Sequence, residues 1–296
     1  MDQIFLAVFS NFFIDNEERF QRMKDSFYSF KDYNPNEWFI NIRGKLKNEA
    51  GEFLKKELGD TLNLFYLQNR RGWFHDSKIL AKNIKSDFIF FWIEDHILIS
   101  SIEDFKNCII EMKKFQADQL LYSFLTKEVR ARFDIITPDN KGDFITTIRL
   151  DKKNCNKIRK KLNRDFYYTS CASIMTNSFF RTVLESKKPF LKRWPRHLPF
   201  DFEKKSKDNV KSIIIHSLPN RELFASIDDD RGENGYSLIS RGLYENRISR
   251  KVLQMKEYEF MKRDDYLKNF FCKFLFLRLV VRFFKRFLYT INLFFN

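Results

Sequence analysis

Apolar and polar positions alternate in a regular order over residues 1–125. Short apolar runs, typical of buried strands, are separated by segments of about 10–15 residues whose apolar side chains have helical spacing. The predicted strands are Ile4–Phe9, Trp38–Ile42, Thr61–Leu67, Asp87–Ile93 and Leu121–Leu125, and the predicted helices are Asn16–Phe30, Asn48–Leu58, Trp73–Ile84 and Ile102–Leu121. This order predicts βαβ units and an α/β fold, in which a parallel sheet carries helices on both faces. Ligands of such a sheet bind at the carboxyl ends of its strands.

The rest of the chain has a less regular pattern. Phe144–Leu150 alternates like an antiparallel strand, Ser178–Glu185 has helical spacing, and Val210–His216 is predicted as a further strand. Between the last two, Lys187–Pro199 holds three of the six prolines and predicts a loop. We therefore expect further strands and helices after residue 125.

Composition limits the class of protein. The 296 residues carry 54 Lys and Arg against 39 Asp and Glu, a formal net charge of +15, and 44% of them are hydrophobic. This length suits one large domain or one and a half. The apolar content suffices for a sizeable core and excludes an intrinsically disordered chain. The four cysteines show no C-x-x-C spacing, so we expect reduced, buried thiols of a cytoplasmic protein and neither a zinc site nor a disulfide framework.

The N-terminal segment Met1–Ile14 is apolar enough to suggest a signal peptide. Asp2 stands where such a peptide has Lys or Arg, so the segment is better interpreted as the first buried strand. Because no segment reaches the ~18 charge-free apolar residues of a transmembrane helix, none is expected.

The clearest candidate site follows the apolar run Phe88–Ile93. Glu94, Asp95 and His96 come directly after it, at a strand end where ligands of such sheets bind. Carboxylates and imidazole suit Mg²⁺, Mn²⁺ or Zn²⁺, and such an ion would bridge a pyrophosphate and stabilise a leaving nucleoside diphosphate. The alternative is a polar strand end in which Glu94 caps a helix or forms an ion pair.

The order of these elements resembles that of GT-A-fold glycosyltransferases, most of all the family 2-like enzymes of bacterial surface-polysaccharide synthesis. In that family a segment of the type Asn-x-Gly precedes a helix, and the apolar strand that follows ends in Asp-x-Asp. Asn69 and Gly72 stand near the first element, and Glu94 and His96 occupy the two Asp positions of the second. The resemblance covers residues 1–125 clearly and residues 165–220 loosely.

The resemblance implies a nucleotide-sugar donor at the carboxyl edge of the sheet. The implied donor-binding residues are Ser10, Asn11, Arg43, Asn69, Arg71, Glu94 and Asp95, and the implied ligands of a divalent metal, Mn²⁺ or Mg²⁺, are Glu94, Asp95, His96 and His216. The guanidinium groups of Arg43 and Arg71 can hold phosphate bidentately, unless they are only exposed surface charges. The chain departs from the family where His96 replaces a carboxylate and where Asn41 and Gly44 stand in place of an acidic contact to the nucleotide base.

An inverting sugar transfer also needs one carboxylate within hydrogen-bond reach of the acceptor hydroxyl, as a general base. The resemblance implies Asp201 for this role, with Glu203 second, at about the family distance after the helix Ser178–Glu185. Asp201 serves equally well as the N-cap of a helix. The acidic loop Asp228–Asp230 is the alternative position of the base, and is otherwise a solvated turn.

Two basic segments indicate anionic partners. Lys152–Arg164 has the charge of a nucleic-acid-binding face but no nucleic-acid-binding motif, which leaves a solvated helix face and a contact with anionic lipid as alternatives. In the tail, residues 269–296, a helix would gather its cations on one arc and its Phe and Leu side chains on the other. These cations are Arg278, Arg282, Lys285 and Arg286. The pattern predicts a basic amphipathic helix in the membrane plane, with a docked core or dimer helix as the alternative.

These observations predict a glycosyltransferase on the cytoplasmic face of the cell membrane. It would move a sugar from a nucleotide sugar to a lipid-linked or surface glycan, and nucleic acid is not an expected partner. The predicted regions are a nucleotide-sugar-binding half (1–125), an acceptor and catalytic half (126–268) and a membrane-associating helix (269–296). Two other classes are alternatives: a nucleotidyltransferase, which should have a Gly-rich loop after the first strand, and a non-catalytic basic module that binds nucleic acid or membrane.

Overall fold

The computed structural model describes residues 4–68, 72–123, 133–162, 169–185, 213–228 and 237–244. The strands are β1 (Leu6–Phe13), β2 (Glu37–Arg43), β3 (Leu62–Phe65), β4 (Phe88–Phe91), β5 (His96–Leu98), β6 (Gln119–Leu121), β7 (Asn140–Lys141), β8 (Ile145–Leu150), β9 (Ser173–Thr176), β10 (Ile214–Pro219) and β11 (Phe224–Ser226). The helices are α1 (Glu17–Phe30), α2 (Lys47–Leu58), α3 (Trp73–Ala81), α4 (Ile102–Lys114), α5 (Lys152–Leu162) and α6 (Asn177–Glu185).

Within these ranges, nine strands form one mixed sheet in the order β3-β2-β1-β4-β9-β6-β10-β8-β7. Strands β3, β2, β1 and β4 are mutually parallel, and β6 is parallel to β10. Strand β9 lies antiparallel between β4 and β6, and β8 lies antiparallel beside β10. A separate two-stranded sheet pairs β5 with β11. The predicted α/β class, a sheet with helices on both faces, is confirmed.

Apolar side chains cover both faces of the large sheet. Alternate residues of β1 serve the two faces, because successive side chains of a strand point to opposite sides. On one face, α1, α2 and α4 bury residues such as Phe27 and Phe105. On the other face, α3, α5 and α6 bury residues such as Trp73, Ile158 and Phe180. The fold thus has two apolar layers with the sheet between them.

Local signals fix where the helices near the carboxyl edge begin. The Asn16 side chain accepts a hydrogen bond from the Arg19 backbone N–H at 2.9 Å, which caps α1. Ser101 caps α4 in the same way, at 3.0 Å from the Asp104 N–H. Gly72 precedes α3 with a φ of 82°, a backbone conformation that side chains disfavour.

Two boundaries differ from the predicted ones in ways that matter for the site. The helix expected to reach Leu121 ends at Lys114, because Gln116 adopts a left-handed φ of 53° and the chain then enters β6. The strand expected to end at His216 runs from Ile214 to Pro219. His216 is therefore a fully buried residue inside β10 and not a strand-end group.

The two predicted halves share one sheet. Strand β9, from the second half, inserts between β4 and β6 of the first half. The division at residues 125 and 268 stays a prediction, and the tail 269–296 lies outside the described residues. Within the described ranges, no helix is both long enough and apolar enough to cross a membrane.

Candidate functional site

The turn between β4 and β5 lies at the carboxyl edge of the sheet and is held on two sides. Trp92 Nε1 donates to Ser26 Oγ at 2.8 Å, and Ser26 Oγ donates to the carbonyl oxygen of His96. From the other side, the Tyr122 hydroxyl donates to the carbonyl oxygen of Phe91 at 2.9 Å. The turn is therefore tied to α1 and to the end of β6.

Two arginines of α1 face the carboxylates of this turn and its surroundings. Arg19 Nη1 lies 3.1 Å from Glu94 Oε1, and these side chains are 13% and 18% exposed. Arg22 is buried, and its Nε and Nη1 lie 2.8 Å from Glu18 Oε1 and from Asp228 Oδ2. Because Asp228 follows β11, the Arg22 pair joins α1 to the loop after the small sheet. Glu94 therefore forms an ion pair, which is one of the alternatives that the sequence left open for this residue.

Neither arginine is predicted as a site residue from the sequence. Helical spacing placed the large apolar side chains of α1 inside and left the arginines to the solvent side. Yet Arg19, Arg22 and Ser26 stand at i, i+3 and i+7, which is itself the spacing of one helix face. This row of polar residues, next to the apolar row of the same helix, was the sequence signal that pointed to the site.

Asp95 bonds to the residue that follows it. Its Oδ1 lies 2.8 Å from His96 Nδ1, and the Asp95 side chain is 30% exposed. Burial by itself raises the pKa of Asp95, but the hydrogen bond and charge of His96, together with the charges of Arg22 and Arg19, outweigh it and hold that pKa below its usual value. Asp95 is therefore a carboxylate at neutral pH.

The loop after β11 meets the same turn. The Ile227 N–H donates to the Asp95 carbonyl oxygen at 2.8 Å, and this contact continues the pairing of β11 with β5. Asp228 thus lies beside the Glu94–His96 turn although the chain separates them widely. The Asp228–Asp230 loop, which is the alternative position of the general base, therefore begins at the site.

The residues present do not fit the implied metal site. In the part of the chain that the structure describes, no three His, Cys, Asp or Glu side chains form a group that could hold a metal ion. Glu94 faces Arg19, Asp95 bonds to His96, and His216 lies inside β10. His216 is not brought to the turn that holds the other three predicted ligands, because it lies inside β10, and the carboxylates of that turn are paired with Arg19 and His96.

Asn11 and Asn41 form a buried polar clamp between β1 and β2. Asn41 Nδ2 donates to Asn11 Oδ1 at 2.8 Å, and Asn41 Oδ1 accepts from the Leu67 N–H at 2.6 Å. Asn11 Nδ2 donates to the Trp73 carbonyl oxygen at 3.2 Å and to Ser77 Oγ at 3.1 Å. The clamp thus holds Leu67 after β3 and the first residues of α3 against the ends of β1 and β2.

Of the remaining predicted donor residues, the structure describes Ser10 and Arg43. Ser10 is buried in β1, and Arg43 ends β2 with its guanidinium 5.8 Å from the ring centroid of Phe13. The predicted donor residues Asn69 and Arg71, the predicted bases Asp201 and Glu203, and residues 229–230 of the acidic loop lie outside the described residues. The structure therefore brings Glu94, Asp95 and Asp228 together with two unpredicted arginines.

Neither a protein-family model nor a curated protein sequence matches this chain. Among solved structures, it is similar to residues 1–349 of S. aureus TarS, with a TM-score of 0.44, 13% identity, and coverage of 75% of this chain and 60% of that one. TarS 1–349 in complex with UDP-GlcNAc gives a TM-score of 0.45 at 13% identity, over 82% of this chain and 62% of that one. A longer TarS structure gives 0.46 at 14% identity, over 75% and 36%. The chain thus spans about 60% of the TarS 1–349 fragment, and the likeness concerns the fold.

Proposed function

We propose that this protein is a glycosyltransferase that uses a nucleotide sugar. The observation that supports the proposal most is the turn after β4, where two carboxylates meet two guanidinium groups and the start of the Asp228 loop. This group lies at the carboxyl edge of parallel strands, beside the antiparallel β9, where the strand order changes. Open α/β sheets bind their ligands at such a position.

The donor diphosphate is the leaving group, so its binding site must supply positive charge and N–H donors. Arg19 suits this role because its guanidinium lies partly exposed at the carboxyl edge, and the planar fork of a guanidinium matches the oxygens of a phosphate group. Glu94 and Asp95 hold that guanidinium and the neighbouring turn in place. Arg43 extends the basic edge at the end of β2.

The acceptor hydroxyl then attacks the anomeric carbon while a carboxylate takes its proton. Asp201 is the proposed base, Glu203 is second, and the Asp228–Asp230 loop is the alternative. Asp201→Asn keeps the shape and removes the basicity, so turnover should fall by about 10²–10⁴-fold while donor binding persists. If Asp201→Asn is fully active and Asp229→Asn is inactive, the base belongs to the acidic loop.

A thermal-shift panel of nucleoside diphosphates tests the donor site. One of them should raise the melting temperature of the wild-type protein, since a ligand that binds only the folded state stabilises it. The variant Glu94→Ala/Asp95→Ala should lose this shift and sugar transfer together. The control Glu49→Ala/Glu52→Ala removes the same charge from exposed positions of α2 and should keep both. Unchanged transfer in the first variant would disprove the assignment.

The proposed acceptor is a lipid-linked or surface glycan, and the proposed location is the inner face of the cell membrane. The basic amphipathic pattern of residues 269–296 supports this location. Full-length protein should float with anionic liposomes, less so in high salt because screening weakens the charge attraction. Removal of residues 269–296 should abolish flotation and leave activity on a short soluble acceptor. A full-length protein that does not float contradicts the membrane assignment.

A further inference from the structure

Helix α5 carries a dense basic surface outside the site described above. Six of its 11 residues are Lys or Arg, and it contains no Asp or Glu. Cys155 and Ile158 are buried against the sheet. The exposed side of the helix consists of Lys152, Lys153, Asn156, Lys157, Lys160 and Lys161.

These lysines have no anionic partner within the chain as far as the structure describes it. No ion pair among the described residues includes Lys152, Lys153, Lys157, Lys160 or Lys161. Like charges three and four positions apart on a helix repel each other. The exposed side of α5 therefore has charge that an external anion would neutralise.

The topology directs α5 toward the carboxyl edge of the sheet. Strand β8 is antiparallel to β10, so it ends at the opposite edge, and α5 begins there. Strand β9 is antiparallel to β4 and therefore starts at the carboxyl edge. Between these two points α5 rises about 16 Å at 1.5 Å per residue. Its last turn, with Lys160 and Lys161, therefore lies nearer the carboxyl edge of the sheet than its first turn does.

We propose that the exposed face of α5 binds a polyanionic acceptor, a glycan chain that carries phosphate or carboxylate groups. This inference rests on the proposed glycosyltransferase function and names its acceptor class. A row of lysines directed toward the catalytic edge holds a flexible anionic chain by charge and delivers its end to the donor. Long-range attraction of this kind raises the local concentration of the substrate.

Two observations favour a glycan over other polyanions. The helix has no Phe, Tyr or Trp on which nucleic-acid bases could stack. It also presents no apolar face to a bilayer, because its apolar residues Cys155 and Ile158 are buried in the core, whereas an in-plane membrane helix needs such a face outside. Recognition by charge alone suits a chain whose charges repeat and whose sugars are polar.

The test compares two full-length variants that lose the same charge. One is Lys152→Gln/Lys153→Gln/Lys157→Gln/Lys160→Gln, and the matched control is Lys55→Gln/Lys56→Gln/Lys113→Gln/Lys114→Gln. The control lysines are exposed on α2 and α4, which pack on the opposite face of the sheet. Gln has a helix propensity close to that of Lys, so both variants should fold. If the first does not, the pair Lys157→Gln/Lys160→Gln replaces it, with Lys55→Gln/Lys114→Gln as its control.

The probes are fluorescently labelled carboxymethyl-dextran and unmodified dextran of the same length, followed by fluorescence anisotropy. Wild-type protein should bind only the charged dextran. The α5 variant should bind it at least about tenfold more weakly, and the control should stay within about twofold of wild type. Equal losses in both variants, or no loss in either, overturn the proposal.

Further measurements distinguish the charged glycan from other partners of α5 and test the donor site separately. If the α5 variant loses more affinity for single-stranded DNA or phosphatidylglycerol vesicles than for the charged dextran, α5 serves nucleic acid or membrane and the proposal fails. Thermal stabilisation by a nucleoside diphosphate should be the same in wild type and both variants. If no nucleotide stabilises any of them, the proposed enzymatic function and the acceptor role fail together, even where α5 binds the charged dextran.

Discussion

Two turns of this protein lie against buried or partly buried carboxylates, and the hydrogen-bond partners of these carboxylates differ in kind. At the turn before β8, Glu111 of α4 accepts hydrogen bonds from the backbone N–H groups of Asp143, Phe144 and Ile145, at 2.8–3.0 Å. At the turn after β4, Glu94 and Asp95 face Arg19, Arg22 and His96. The first carboxylate is surrounded by backbone, and the second pair is surrounded by side chains.

This difference separates a structural group from a candidate binding group. Both oxygens of Glu111 are occupied by donors that cannot move without unfolding the turn. The partners of Glu94 and Asp95 can change rotamer, and these side chains stay 18% and 30% exposed. Buried Nε2 of His96 and Nη2 of Arg22 have no hydrogen-bond partner among the described residues. Of these carboxylates, Glu94 and Asp95 therefore keep accessible surface for a ligand, whereas Glu111 is buried.

The largest expected effect breaks the first turn. Glu111→Ala leaves three backbone N–H groups without their acceptor, of which that of Ile145 is buried and those of Asp143 and Phe144 are partly buried. An unsatisfied buried group costs about 1–3 kcal/mol. We expect the free energy of unfolding to fall by about 3–5 kcal/mol, as measured by urea denaturation. Glu103→Ala, at an exposed position of the same helix, is the control and should cost less than about 1 kcal/mol. A Glu111→Ala protein as stable as this control would contradict the structural role.

Gly142→Ala tests the same turn from the opposite side. A Cβ at this position would lie 2.2 Å from Glu111 Oε2, so the carboxylate would have to leave its three donors. We expect a loss of about 2–4 kcal/mol of unfolding free energy. The double variant Gly142→Ala/Glu111→Ala should lose less than the sum of the single ones, because both act on one contact. Additive losses would show that the two residues act separately.

The next effect concerns the buried arginine of the second turn. Arg22→Met leaves Glu18 and Asp228 without their cation, and breaking a buried ion pair costs about 3–5 kcal/mol. Because the Asp228 side chain is 19% exposed, the lower end of that range is expected. Combination with Asp228→Asn should recover part of the loss. If the double variant is less stable than Arg22→Met alone, the pair does not hold the loop to α1.

A smaller effect appears only as a pH dependence. The pKa of Asp95 is lowered in the folded protein, so Asp95 adds stability above its unfolded pKa of about 3.9 and loses it as the pH falls through the folded pKa. At about pH 6, Asp95→Asn should be less stable than wild type. The two unfolding free energies should converge in acid. Asp60→Asn, at an exposed position after α2, should show no such convergence, and a constant gap for Asp95→Asn would contradict the mechanism.

The smallest expected change in stability has the clearest effect on binding. Arg19→Gln removes a partly exposed ion pair with Glu94, which is worth about 0.2–1 kcal/mol. In the proposed function the same guanidinium holds the donor diphosphate, so nucleoside diphosphate affinity should fall at least about tenfold. Isothermal titration of the variant measures this directly. An unchanged affinity would remove Arg19 from the proposed donor site.

The sequence predicts the elements of this fold well because local spacing encodes local geometry. Helix α1, predicted as Asn16–Phe30, is Glu17–Phe30, and Asn16 is its N-cap. The site is less predictable, since pairing between distant segments leaves no periodic mark. Glu94 and Asp95 followed from a strand end, but Arg22 meets Asp228 across 206 positions. His216 was misplaced by a strand boundary that a shift of a few residues decides.

The position of β9 between β4 and β6 affects how the chain folds while it is being synthesised. Ile174 pairs with Phe90 on one side and with Leu120 on the other, so strands synthesised early depend on a strand that leaves the ribosome much later. Until then β4 has an open edge and β6 lacks its neighbours, and both are rich in apolar side chains. Folds that depend on distant pairings form slowly, and open edges of this kind aggregate. The nascent chain therefore passes through a stage in which a chaperone that shields β4 and β6 should raise the yield of folded protein.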